Sequence, residues 1–107
     1  MQDENHPPTL ATTHDFVATS RRVVYFKQKE IVIFKVNGEF FAVDNLCPHR
    51  QAALSTGEVA DGVVTCPWHG ARFDLKTGKG LEGPHQADLG CYQVYVEGTA
   101  IKLARIP

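Results

Sequence analysis

Two short stretches of this chain, Cys47-Pro48-His49 and Cys66-Pro67-Trp68-His69, each place a soft thiolate close to an imidazole. Proline at 48 and 67 narrows both turns by fixing φ and removing an amide donor. Sixteen residues separate His49 from Cys66, so two loops brought face to face would offer two Cys and two His to one small volume. Such a donor set can bind metal in more than one way. A structural zinc site also uses two Cys and two His, but its usual spacing pairs Cys with Cys and His with His. Here each pair is mixed, which suits a centre of two metal atoms that both loops must reach. A cysteine–histidine catalytic dyad would use one Cys and one His and leave the second stretch unexplained. Four unrelated residues would have to meet beside two proline-bearing loops by accident. Metal binding is the reading that uses all four.

The elements around these stretches read as β. Val23-Val24-Tyr25-Phe26 is followed by Ile31-Val32-Ile33-Phe34-Lys35-Val36, then Asn37-Gly38, then Glu39-Phe40-Phe41-Ala42-Val43. Two β-branched and aromatic runs joined by Asn-Gly predict a hairpin with a two-residue type I′ turn, and it leads straight to Cys47. Asp61-Gly62 predicts a second tight turn, with Val63-Val64-Thr65 delivering Cys66. Tyr92-Gln93-Val94-Tyr95-Val96 alternates, Glu97-Gly98 turns, and Ala100-Ile101-Lys102-Leu103 alternates back. No amphipathic pattern longer than about two helical turns interrupts this. The fold class is therefore all-β, a small sandwich or barrel of short antiparallel strands. Residues 1–14 are polar, contain Pro7-Pro8, and read as a loose leader; residues 15–107 read as the single domain.

Composition narrows the partners. The 107 residues carry 11 basic and 12 acidic side chains, a formal charge of −1, which argues against nucleic acid or an anionic membrane as partner. No apolar run approaches the ~20 residues of a spanning helix, and no signal peptide or twin-arginine leader is evident. A cytoplasmic, monomeric protein is expected. Three cysteines is an odd count that fits poorly with a secreted disulfide framework. Cys91, the one left over, is expected to be a small buried apolar residue.

With these residues in view, the chain resembles the Rieske-type [2Fe–2S] ferredoxins, whose signature is Cys-x-His, a gap of similar length, then Cys-x-x-His. The similarity extends through Arg50, Leu54, Gly57-Glu58-Val59, Gly62, Gly70, Phe73-Asp74, Thr77-Gly78, Pro84 and the closing hairpin. The resemblance implies small stacked antiparallel sheets, three in the family, with the cluster held by two loops at one tip. It implies that Cys47 and Cys66 bind one iron, and that His49 and His69 bind the other through one ring nitrogen each. It also implies a carrier rather than an enzyme, with no catalytic residue. Such a carrier takes one electron from a flavin-containing reductase and gives it to a terminal oxygenase through the His49/His69 edge. Two alternatives are the Rieske small subunit of a larger oxidoreductase, such as an assimilatory nitrite reductase, and a zinc-stabilised interaction module.

Several residues carry a bland reading beside a functional one. Gly70 either lets backbone approach the cluster or is a flexible turn. Trp68 either shields the cluster from water or packs in the core. Pro84 resembles the proline of a third covering loop, whereas Gly83-Pro84 is also an ordinary surface turn. His6, His14 and His85 read as solvated. Arg50 and Arg72 either ring the exposed tip to suit an acidic partner or are solvated charges.

The resemblance also bears on reduction potential. Rieske centres span about −150 to +300 mV, against about −400 mV for all-cysteine plant-type clusters. High-potential respiratory members carry a disulfide between the ligand loops, at positions occupied here by Ala52 and Trp68. They also place serine and tyrosine hydroxyls near the cluster sulfurs, where this chain has Ala71 and Phe73. Fewer donors leave the more negative reduced state less stabilised. A voltammetric midpoint toward the low end of the Rieske range is expected; a midpoint at its upper end contradicts this.

Overall fold

The β-branched and aromatic runs fold as their alternation requires, in a computed structural model that describes residues 7–47, 52–67, 70–82 and 88–105. The strands in chain order are β1 (Thr9–Thr12), β2 (Arg21–Phe26), β3 (Lys29–Val36), β4 (Glu39–Asp44), β5 (Glu58–Ala60), β6 (Val63–Thr65), β7 (Arg72–Asp74), β8 (Gly80–Glu82), β9 (Cys91–Glu97) and β10 (Ala100–Arg105). Two 3₁₀ turns, Thr13–Phe16 and Leu54–Thr56, are the only helical segments among the described residues. The strands form a six-stranded sheet in the order β1-β10-β9-β4-β3-β2 and a four-stranded sheet in the order β5-β6-β7-β8, antiparallel throughout. Three separate sheets, implied by resemblance, become two because β4 pairs with β9 at Ala42↔Tyr92 and Val43↔Cys91.

Turn chemistry sets the registers. Asn37 and Gly38 take φ of 52° and 83° between Val36 and Glu39, the expected type I′ hairpin. Asp61 and Gly62 do the same at 55° and 75° between Ala60 and Val63. The last hairpin differs from its expected form by one residue. Glu97 still pairs with Ala100, so Gly98-Thr99 is the loop, with Gly98 at φ 63°. Lys27 and Gln28 form a turn with φ of 49° and 66°. Neither is the Gly, Asn or Asp that usually marks left-handed backbone, so the sequence carries no signal for it.

β3 and β4 form a wall shared by two cores. Side chains alternate across a strand, so Val32, Phe34 and Val43 face one cluster while Ile31, Ile33 and Ala42 face the other. The first cluster lies with the four-stranded sheet and includes Leu54, Val64, Phe73, Leu75 and Leu89. The second is enclosed by the six-stranded sheet, with Phe16, Tyr92, Ile101 and Leu103. The continuous apolar run in β3 reflects burial on both faces.

Two sequence expectations need correction. The stretch read as a loose leader contributes β1, whose Thr9, Ala11 and Thr12 pair with β10 and whose Ala11 enters the core. At four residues β1 is too short to show an alternation, and it is held by backbone pairing to β10, by Ala11 in the core, and by the Leu103 amide donating to the Pro8 carbonyl. Cys91 is only half-buried, and its thiol donates to the Lys76 carbonyl at 3.3 Å. Residues 1–6 and His85 lie outside the described residues, and His14 sits on the first 3₁₀ turn.

A polar pin joins β4 to β9 below the end of the sheet. The Tyr92 hydroxyl donates to Asp44 Oδ1, and the Gly90 amide donates to Asp44 Oδ2 at 3.2 Å. The Asp44 amide donates in turn to the Gly90 carbonyl at 2.9 Å. Burial first, then the bond to Asp44 and its charge, push the Tyr92 phenol well above its ordinary pKa. Hydrogen bonds to charged groups contribute about 1.5–3 kcal/mol, so Tyr92→Phe is expected to lower unfolding free energy by that order. Because the folded pKa is raised, the contribution is complete below about pH 10 and fades as pH rises further. Denaturant titrations at neutral and strongly alkaline pH check this; a constant difference contradicts it.

Candidate metal centre

Each cysteine stands just past a strand that aims it. β4 ends at Asp44 and delivers Cys47; β6 ends at Thr65 and delivers Cys66. The two loops close alike. The Cys47 amide donates to the Ala52 carbonyl at 2.9 Å, and the Cys66 amide donates to the Ala71 carbonyl at 2.7 Å, five residues on in both cases. The Gly70 amide adds a bond to the Cys66 carbonyl at 3.1 Å. Beyond the first closure, an isolated bridge pairs Leu46 with Ala53. Cys47 and Cys66 are 2% and 1% exposed, and both belong to the first core cluster with Ala52, Ala71 and Phe73. Both cysteines are thus buried in the same core cluster.

His49 and His69 lie outside the described residues, as do Pro48, Arg50, Trp68 and Pro84. Both histidine positions fall within the two closed loops, 47–52 and 66–71. Ala71 and Phe73 are buried without a hydroxyl to offer. Gly70 has φ 74°, so conformation rather than crowding requires glycine there: an added Cβ would meet nothing within 4 Å among the described residues. Arg72 is half-buried on β7, with Thr65 and Glu82 as its register partners. Cys91 is no competing thiolate: burial, then Asp74, raises its pKa.

Sequence reasoning missed what fastens the first loop's return arm. Arg21, at the start of β2, donates from one guanidinium nitrogen to the Ser55 carbonyl at 2.9 Å and to the Gly57 carbonyl. Its guanidinium also lies over the Phe34 ring, 5.1 Å from the centroid. An arginine 34 residues from its partner leaves no local signal. Gly57 then passes close to the second loop's strand, and a Cβ there would clash with the Thr65 carbonyl oxygen.

Residues 6–93 match the Rieske [2Fe-2S] domain family. The chain belongs to the Rieske [2Fe–2S] family. Among its relatives, the ferredoxin component of the naphthalene 1,2-dioxygenase/salicylate 5-hydroxylase systems of Ralstonia sp is 41% identical over 75 residues, covering 70% of this chain and 72% of that one. The ferredoxin of Sphingomonas yanoikuyae B1 superposes with a TM-score of 0.83 at 27% identity, over 94% of this chain and 100% of that chain. The ferredoxin in a complex of reduced oxygenase and oxidized ferredoxin in carbazole 1,9a-dioxygenase gives 0.79 at 26%, over 91% and 100%. This Rieske chain is an electron-transfer protein rather than a catalyst. Its donor chemistry fits a [2Fe–2S] cluster: two buried thiol positions in one core, each in a loop whose remaining donor is an imidazole. No helix among the described residues is long and apolar enough to cross a membrane.

Gly57→Ala forces β5 and β6 apart beside both loops, and overpacking of this kind costs about 1–3 kcal/mol. The variant is expected to unfold at lower temperature and to bind less iron per chain. Native thermal stability and iron content would contradict the contact.

Proposed function

We propose that Cys47, His49, Cys66 and His69 hold the cluster, the cysteines on one iron and the histidines on the other. The observation that carries this is the repeated closure: each ligand pair sits in a loop tied by its cysteine amide to the carbonyl five residues later. A [2Fe–2S] cluster supplies a one-electron redox couple. The chain does the rest. Cys47 and Cys66, buried in an apolar core, keep water from the sulfur side. Paired backbone on both sides of each loop limits movement when charge changes. Imidazoles in place of two thiolates remove negative charge and make electron uptake easier than at an all-cysteine centre.

The partners follow from relatives. Ferredoxin components of dioxygenase systems and a ferredoxin seen in complex with its oxygenase support a terminal oxygenase as acceptor. A flavin-containing reductase is the donor in this reading, and the His49/His69 edge is the route out. The odd cysteine count, which fits poorly with a secreted disulfide framework, supports work in the reducing cytoplasm, and the carrier is read as a monomer.

The purified protein is expected to contain iron and acid-labile sulfide in equal amounts and to take up one electron per chain anaerobically. The reduced form should reoxidise on mixing with a terminal dioxygenase. Zinc without sulfide, or a reduced form inert toward any such oxygenase, overturns the reading.

A further inference from the structure

Among the described residues one polar side chain is fully buried: Asn45, 1% exposed, two residues before Cys47. It sits where β4 stops pairing with β3 and the chain turns back on itself. Its backbone faces both ways. The Asn45 amide donates to the Glu30 carbonyl at 2.9 Å, which extends the β3–β4 ladder, and its carbonyl accepts from the Leu54 amide at 2.6 Å. The side chain repeats both connections. Asn45 Nδ2 donates to Glu30 Oε2, and Asn45 Oδ1 accepts from the Ser55 amide at 2.8 Å. The amide's orientation is dictated by its partners, since a backbone N–H requires an acceptor and a carboxylate requires a donor.

We propose that Asn45 is a positioning residue for the first ligand arm, coupling residues 47–55 to β3 through Glu30 so that the sheet, not the bound group, sets where Cys47 stands. The proposal rests on the reading of Cys47 as a ligand. Only a planar amide with donor and acceptor on opposite sides serves both partners in this space. Aspartate keeps the acceptor for Ser55 but turns a second carboxylate toward Glu30. Polar neighbours that orient metal ligands typically alter metal retention about 10- to 100-fold when replaced.

The test compares the holoprotein with Asn45→Asp, Glu30→Gln and the double variant Asn45→Asp with Glu30→Gln. Two quantities are read: amide hydrogen exchange at Cys47, Leu54 and Ser55, and the rate of cluster bleaching by an iron chelator. Asn45→Asp should accelerate both by at least about tenfold, well below its unfolding temperature. Glu30→Gln alone should stay near native, because the glutamine carbonyl still accepts from Asn45. The double variant returns a donor to face the new carboxylate at native net charge, and should recover most of the lost protection. Recovery in the double variant assigns the effect to the hydrogen bond between residues 45 and 30, and the bleaching rate reads whether that bond reaches the cluster. Native exchange in Asn45→Asp, or a double variant no better than that single one, overturns the proposal. Faster exchange with unchanged bleaching supports the clamp and overturns the ligand role of Cys47 instead. Should Asn45→Asp fail to fold, Glu30→Ala removes the same bond from the β3 side and must accelerate both quantities; native values there overturn the proposal.

Discussion

Two amide hydrogen bonds, Cys47 to Ala52 and Cys66 to Ala71, are the constraint on which the proposed site depends. A loop free to open could offer a thiolate anywhere; a loop closed five residues on can offer it in one place. The closures also place both cysteines in the apolar cluster that joins the two sheets. The same cluster that buries core side chains thereby holds the base of each loop. Fold stability and the placement of the proposed ligands are thereby coupled.

The architecture explains why so small a domain can do this. β3 and β4 serve two cores at once, so the strand that carries Cys47 toward the site is packed on both faces. β6, which carries Cys66, is packed through Val64 against the same cluster. Long-range fastenings then tie loop to sheet: Arg21 on the return arm, Asn45 at the start, and Asp44 with Tyr92 across β4 and β9. Each is polar, each is at least partly buried, and each would be costly to leave half-made.

Much of this was legible in the chain itself. Asn37-Gly38 and Asp61-Gly62 announce their turns because left-handed backbone has a short list of willing residues. The mixed Cys/His spacing points to a metal centre, in keeping with the Rieske [2Fe-2S] family match over residues 6–93, while the four donors remain the proposal. What stayed hidden is physical too. β1 is an edge strand of four residues, too short to show an alternation, and Lys27-Gln28 turns without glycine or asparagine. Arg21, Asn45 and Tyr92 act on partners far away in sequence or only through folded geometry, and no local pattern encodes a tertiary hydrogen bond. The fusion of two expected sheets rests on only two residue pairs between β4 and β9.

The central claim is that two loops supply one sulfur and one nitrogen each. Pulsed electron paramagnetic resonance of the reduced protein, with histidine labelled by ¹⁵N, reads this directly. Two strongly coupled imidazole nitrogens, with one lost on substituting either His49 or His69, are expected. A spectrum with no strongly coupled histidine nitrogen, or one unchanged by either substitution, contradicts it.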